Sequence, residues 1–260
     1  MKKTKLLVLF LSIFSCCLWA DTARFNDMGF SPDGLQYLFG QYGELIQSDG
    51  STKGYAEFFA VDTAKNEYVK DGTFKTTASG KTSGISGEKV FEQLITTEDS
   101  FISSYKIPDE SNSVILYQVC GSLGLNDYNG LGLLTSDTIG KDAESSPLYK
   151  DVVEFRDFDN PSTNEVETYK VRINELVEGK GRNAESSFYL VVEQNTSSGK
   201  KRSFLVGNPQ IKRKGVSGYR LNRVLRDKNG KSLVFVIEKQ VEESYGPAVR
   251  FMVETVRLPI

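Results

Sequence analysis

The sequence predicts a mainly β protein of antiparallel sheets with one helical segment near residues 87–105. Three observations carry this. From residue 21 onward, short apolar or aromatic runs alternate with clusters of Gly, Asn, Asp and Ser, a strand-and-turn rhythm. The 16 Phe and 12 Tyr fall largely in those runs, where they suit core and cross-strand packing. The spacing of three and four that marks a helical face occurs in one stretch, 87–105. Sandwich and propeller-like arrangements both satisfy this pattern.

Residues 35–42 read as a strand with Tyr37 and Phe39 on one face, after the turn SPDG at 31–34. Pro presets φ in that turn and Gly accepts a positive φ. Residues 55–61 read as its partner, and 62–66 as the next turn. Further strands are expected over 114–120, 152–158, 165–173, 187–193, 203–206, 219–225, 233–239 and 249–258. In the helical segment, Val90, Phe91, Leu94, Ile95, Phe101 and Ile102 share a face, and Ser86 is the expected N-cap. Thr96, Thr97 and Ser100 weaken its middle, so one kinked helix and two short ones both fit. The stretch 76–87 reads as a loop, and 121–146, rich in Gly, Asn and Asp, as an irregular region. The expected organisation is one β-rich domain over 21–260, with any internal boundary inside 121–146.

Two segments share a plan. FSPDGLQYLF at 30–39 and DKNGKSLVF at 227–235 each place a Gly-bearing turn before an alternating strand, followed by a loop containing a Tyr-Gly pair at 42–43 or 245–246. They read as two copies of one turn-plus-hairpin unit whose hairpins lie close together. The middle of the chain shows no third copy, so a periodic array is not expected.

On the residues GFSPDG at 29–34, Tyr42-Gly43, Val61-Asp62, the helix after the Gly/Ser loop, YRLNRV at 219–224 and NGKSLVFV at 229–236, the chain resembles domain-of-unknown-function family 2259, a family of predicted secreted bacterial proteins. The resemblance implies an exported protein and carries over no catalytic or binding residue. Residues 30–39 also resemble the WD40-like repeats of propeller proteins, which would imply a protein-interaction role.

The N-terminus points the same way. Lys2, Lys3 and Lys5 precede an apolar run over 6–14 and a tail ending at Ala20, the layout of a secretory signal peptide. The run is far short of the roughly 20 residues a spanning helix needs. Cleavage after Ala20 gives a periplasmic or secreted protein. The alternative is lipidation at Cys16, because Ile13-Phe14-Ser15-Cys16 is a degenerate lipobox, and that would anchor the chain to a membrane. After removal of residues 1–20, Cys120 is the sole thiol, so no internal disulfide is expected.

The chain has 0 His, which excludes Ser-His-Asp and Cys-His catalysis and leaves acid–base work to Asp, Glu, Lys or Tyr. Asp33, Asp49 and Asp62 are the carboxylates considered for glycoside chemistry, although turn chemistry explains two of them. DFDNPSTNE at 157–165 fails as a calcium loop, because Ser162 replaces the required Gly and Thr168 the bidentate Glu. No catalytic, cofactor or metal residue is expected.

Charge is polarised. Residues 21–199 hold 15 Lys/Arg against 29 Asp/Glu, whereas 200–231 hold 11 against one. Lys200, Lys201, Arg202, Lys212, Arg213, Lys214, Arg220, Arg223 and Arg226 are therefore the candidate patch for an anionic partner, with pairing to neighbouring acidic strands as the alternative. An envelope protein, anionic lipid or polysaccharide would suit it. Nucleic acid would not suit an exported chain. The expected function is a non-catalytic binding module of the bacterial envelope; a carboxylate-based hydrolase of envelope glycans or peptides is the alternative.

Overall fold

A computed structural model describes residues 21–78, 84–108, 111–119, 152–244 and 246–259. Cys16, Cys120 and the 121–146 boundary region lie outside them. Strands and helices are numbered in chain order.

Three sheets form. The first is the meander β2 (Arg24–Phe30), β3 (Gln36–Ile46), β4 (Thr52–Asp62) and β5 (Glu67–Thr77). The third is the meander β7 (Val152–Asn160), β8 (Glu165–Glu178), β9 (Glu185–Thr196) and β10 (Lys201–Val206), with β11 (Arg213–Lys214) also pairing β9. Between them lies a central sheet of order β1-β14-β13-β12-β6. Its strands are β1 (Asp21–Thr22), β6 (Val114–Gln118), β12 (Val216–Arg226), β13 (Ser232–Glu243) and β14 (Gly246–Arg257). All pairings are antiparallel except that of β1 with β14.

The sequence of β13 explains why this sheet is central. A strand buried on one face alternates apolar and polar, whereas one buried on both is a continuous apolar run. Leu233, Val234, Phe235, Val236 and Ile237 are all 0% exposed. Leu233, Phe235 and Ile237 pack with Phe155, Tyr169, Phe188 and Leu190 of the third sheet. Val234 and Val236 pack with Tyr37, Phe39 and Phe59 of the first. The stack is thus a layered sandwich. The outer face of the first sheet is covered in turn by α1 (Gly87–Thr97) and α2 (Asp99–Ser104).

The helical segment is two helices, one of the two readings the sequence allowed. Ser86 caps α1 by accepting from Lys89 N. Gly40 of β3 leaves the space that the Phe91 ring enters.

Besides the two-residue β1 and β11, two strands went unforeseen. β2 carries Asn26, Asp27 and Gly29 and a register shift between Asp27 and Gly29. β5 is charged, includes Asp71 at φ 59°, and shifts register opposite Phe59 and Val61. Bulges break the period of two that strand recognition relies on. Residues 76 and 77, expected in a loop, end β5, and Tyr42-Gly43 continues β3 instead of forming a loop.

The two related turns touch. Asn229 Nδ2 donates to Pro32 O (2.8 Å) and Ser232 Oγ to Gly34 O (2.8 Å). A third turn, between β7 and β8, joins them, since Ser162 Oγ donates to Gly230 O (2.9 Å). A Cβ on Gly34 would run into Asp227, and one on Gly230 into Asn160. The middle of the chain therefore does contribute a counterpart of the end units. The sequence does not show the likeness, because this turn, residues 161–164, is one residue shorter than the other two and carries Asn164 at φ 55° where they have Gly.

Candidate functional site

The most unusual chemistry lies where the first and third sheets meet over the outer edge of β14. β1 pairs with that edge at Ala248 and Val249. Farther along, side chains of the first sheet cover it: Gln41 Oε1 accepts from Phe251 N (2.7 Å) and Asn66 Oδ1 from Thr255 N (2.6 Å). The inward face of the first sheet carries Phe30, Tyr37, Phe39, Tyr55, Phe59 and Val61 in its core and a polar cross-strand row, Gln41–Glu57–Lys75. Gln41 Nε2 donates to Glu57 (2.7 Å), and Lys75 Nζ lies 2.8 Å from the same carboxylate.

Four cations from three sheets gather at this seam. Lys75 comes from β5, Lys239 and Arg250 from β13 and β14, and Arg213 from β11. Arg213 pairs with Glu254 (3.5 Å) and stands over the rings of Phe188 (5.1 Å) and Tyr219 (5.9 Å). Arg250 pairs with Glu243 (2.6 Å) and stands over Tyr55 (4.6 Å). Lys239 is directly opposite Tyr219 on one side and Arg250 on the other. It alone of the four has no ion pair or hydrogen bond among the described residues.

Burial lowers the Lys239 pKa; Glu57 opposes this, while Arg213, Lys75 and Arg250 add to it. Burial likewise raises that of Glu254 against the opposing effects of Asn66 and Arg213. The half-exposed Tyr68, on the same face of β5, has its hydroxyl pushed up to about 12 by lost hydration and then by Glu254.

The three carboxylates that the sequence singled out are committed. Asp33 accepts from Ser31 Oγ and Leu35 N, Asp49 from Ser51 N and Oγ, and Asp62 from Ala64 N and Lys65 N. Each closes its own turn. Asp157 and Glu167 do face each other across β7 and β8, but they are 2% and 0% exposed. Arg226 Nε lies 2.8 Å from Asp157, while Glu167 accepts from Asn160, Thr163 and Tyr169. Burial raises the Asp157 pKa, and Arg226 opposes the rise. Both are buried, and each is taken up by these partners. Among the described residues no group of three or more His, Cys, Asp or Glu could hold a metal ion.

The family model for predicted secreted protein, DUF2259, matches residues 38–257. The chain belongs to this family. No curated protein and no solved structure matches it. Export, which the N-terminal pattern predicts, is what the DUF2259 description carries.

In this DUF2259 chain the nine sequence-predicted basic residues do not form one face. Arg226 and Arg220 are buried against Asp157 and Glu238. Arg213 is in the seam. Arg223 stands over Phe25 (4.9 Å), and Arg202 donates to Pro259 O. Lys212 pairs with Glu178 (3.2 Å) on the surface. Lys200, Lys201 and Lys214 are exposed. Sequence reading missed Lys75, Lys239 and Arg250 because they lie in separate strands outside the basic stretch, and only pairing across the sheets joins them. A separate cleft of about 410 Å³ lies between β2, β3 and α1, lined by Asn26, Tyr42, Glu88, Phe91, Glu92, Ile95 and Thr96.

Proposed function

We propose that this exported protein is a non-catalytic binding module of the bacterial envelope whose partner carries anionic groups. The observation that carries this reading is the seam, where Lys75, Lys239, Arg250 and Arg213 converge and Lys239 has no acidic partner among the described residues. Holding an ammonium partly out of water with no ion pair of its own is costly, and departures of this kind from the most stable arrangement concentrate at functional sites. The hydrolase alternative needs two accessible carboxylates several ångströms apart. The facing pair, Asp157 and Glu167, supports a structural role instead.

The reading predicts that the protein lacking residues 1–20 binds an anionic polymer at low ionic strength. Binding should weaken steeply between about 20 and 300 mM salt, as screening shortens the reach of its charges. Co-sedimentation with anionic polysaccharide and with anionic liposomes measures it. Retention by neither at low salt contradicts the reading.

A further inference from the structure

We propose that the seam is a binding site for an acidic sugar unit of a polysaccharide, with Lys239 as the residue that selects its negative group. This rests on the binding-module reading above and names the ligand class. Three observations combine. Lys75, Arg213 and Arg250 each have a carboxylate of their own (Glu57, Glu254 and Glu243), whereas Lys239 has none among the described residues. Lys239 faces Arg250 directly across the β13–β14 pair, and like charges placed so repel each other. Arg213, over the ring of Tyr219, reaches the other flank of Lys239, because Tyr219 is its partner on β12.

The depth of these cations decides between ligand sources. The Arg213 and Arg250 side chains are only 18% and 10% exposed. A flat lipid surface cannot bring its headgroups down to them. A carboxylate or phosphate projecting from a sugar ring can. On the same face of β5 as Lys75 stands Tyr68, 49% exposed, with its ring 5.4 Å from that of Phe59. It offers an apolar face for the sugar ring, and Lys75, whose side chain is 59% exposed, offers a second charge beside it. An exposed aromatic surface beside recessed cations is the pairing an acidic sugar needs. Depressed basicity at Lys239 fits a group desolvated in advance of its ligand.

The test titrates the protein lacking residues 1–20 at low salt with oligogalacturonate, inorganic phosphate and phosphatidylglycerol vesicles. The variants are Lys239→Met, Tyr68→Ala and a Lys200→Gln/Lys201→Gln/Lys214→Gln triple. Oligogalacturonate should bind, with at least a tenfold loss in Lys239→Met, a several-fold loss in Tyr68→Ala and little change in the triple. Circular dichroism confirms that each variant is folded. Saccharide binding that survives Lys239→Met and Tyr68→Ala but fails in the triple overturns this site and leaves the binding-module reading intact. Binding to vesicles or phosphate alone overturns the sugar assignment, and binding to none of the three overturns both.

Discussion

Two buried charges with opposite histories show what single residues do here. Asp157 and Arg226 are a closed pair, their side chains 3% and 5% exposed. Removing one partner leaves the other charge buried alone, so Asp157→Asn should cost about 3–5 kcal/mol in a denaturant titration. A loss under 1 kcal/mol would mean that Arg226 finds water. Lys239 has no such partner among the described residues, and Lys239→Met should stabilise the fold by on the order of 1 kcal/mol. The pH dependence has a definite sign. The folded pKa of Lys239 lies below the ordinary 10.5, so across that window the unfolded chain holds a proton the folded protein has released. Stability contributed by this group therefore rises with pH from the lowered value toward 10.5. Lys239→Met should lose that slope; keeping it would place the titration elsewhere.

Strand edges pose the next problem. An uncovered edge invites pairing with another chain, and proteins blunt it with side chains or loops. Along β14 the first sheet supplies both caps, Gln41 and Asn66. Asn66 adopts φ 57°, which Asn tolerates better than most residues, and its amide also donates to Glu254. Asn66→Ala removes these bonds and the one its Oδ1 accepts from Thr255 Oγ1, and it strains the turn, so it should cost about 2–3 kcal/mol. Hydrogen exchange should show faster exchange at the Thr255 amide before other β14 amides. Unchanged protection there would remove the edge-capping role. This element was half legible in the sequence. The turn at 62–66 was, because Asp62 and Asn66 are turn residues; its contact with β14, nearly 190 positions away, has no local signal. β5 failed for the related reason that its partners, not its own periodicity, make it a strand.

For the molecule as a whole, the central sheet links everything. Its apolar run at 233–237 was readable as a strand, and its five consecutive 0% exposed residues show that it is covered on both faces. The sequence pattern contained that signal, since an unbroken apolar run differs from alternation. The relation of the two end turns was legible too, whereas the third turn was hidden by its shorter length and by Asn164, which holds the positive φ that Gly holds in the others. The seam was least legible, because composition singled out the stretch 200–231 while three of the four converging cations lie outside it. Phe235 faces the third sheet, and Phe235→Ala should cost about 3–5 kcal/mol. Because β13 also serves the core with the first sheet, amide protection should fall in β3 and β4 as well. A loss confined to the third sheet would show that the layers unfold independently.

The central claim is that the seam, rather than the exposed lysines, holds an anionic ligand. Backbone amide resonances followed during titration with oligogalacturonate test it most directly. The account predicts saturable shifts clustered around Lys239 and Arg250, around Tyr68 and Lys75, and around Arg213. Shifts confined to the neighbourhood of Lys200, Lys201 and Lys214, or none at all, would contradict it.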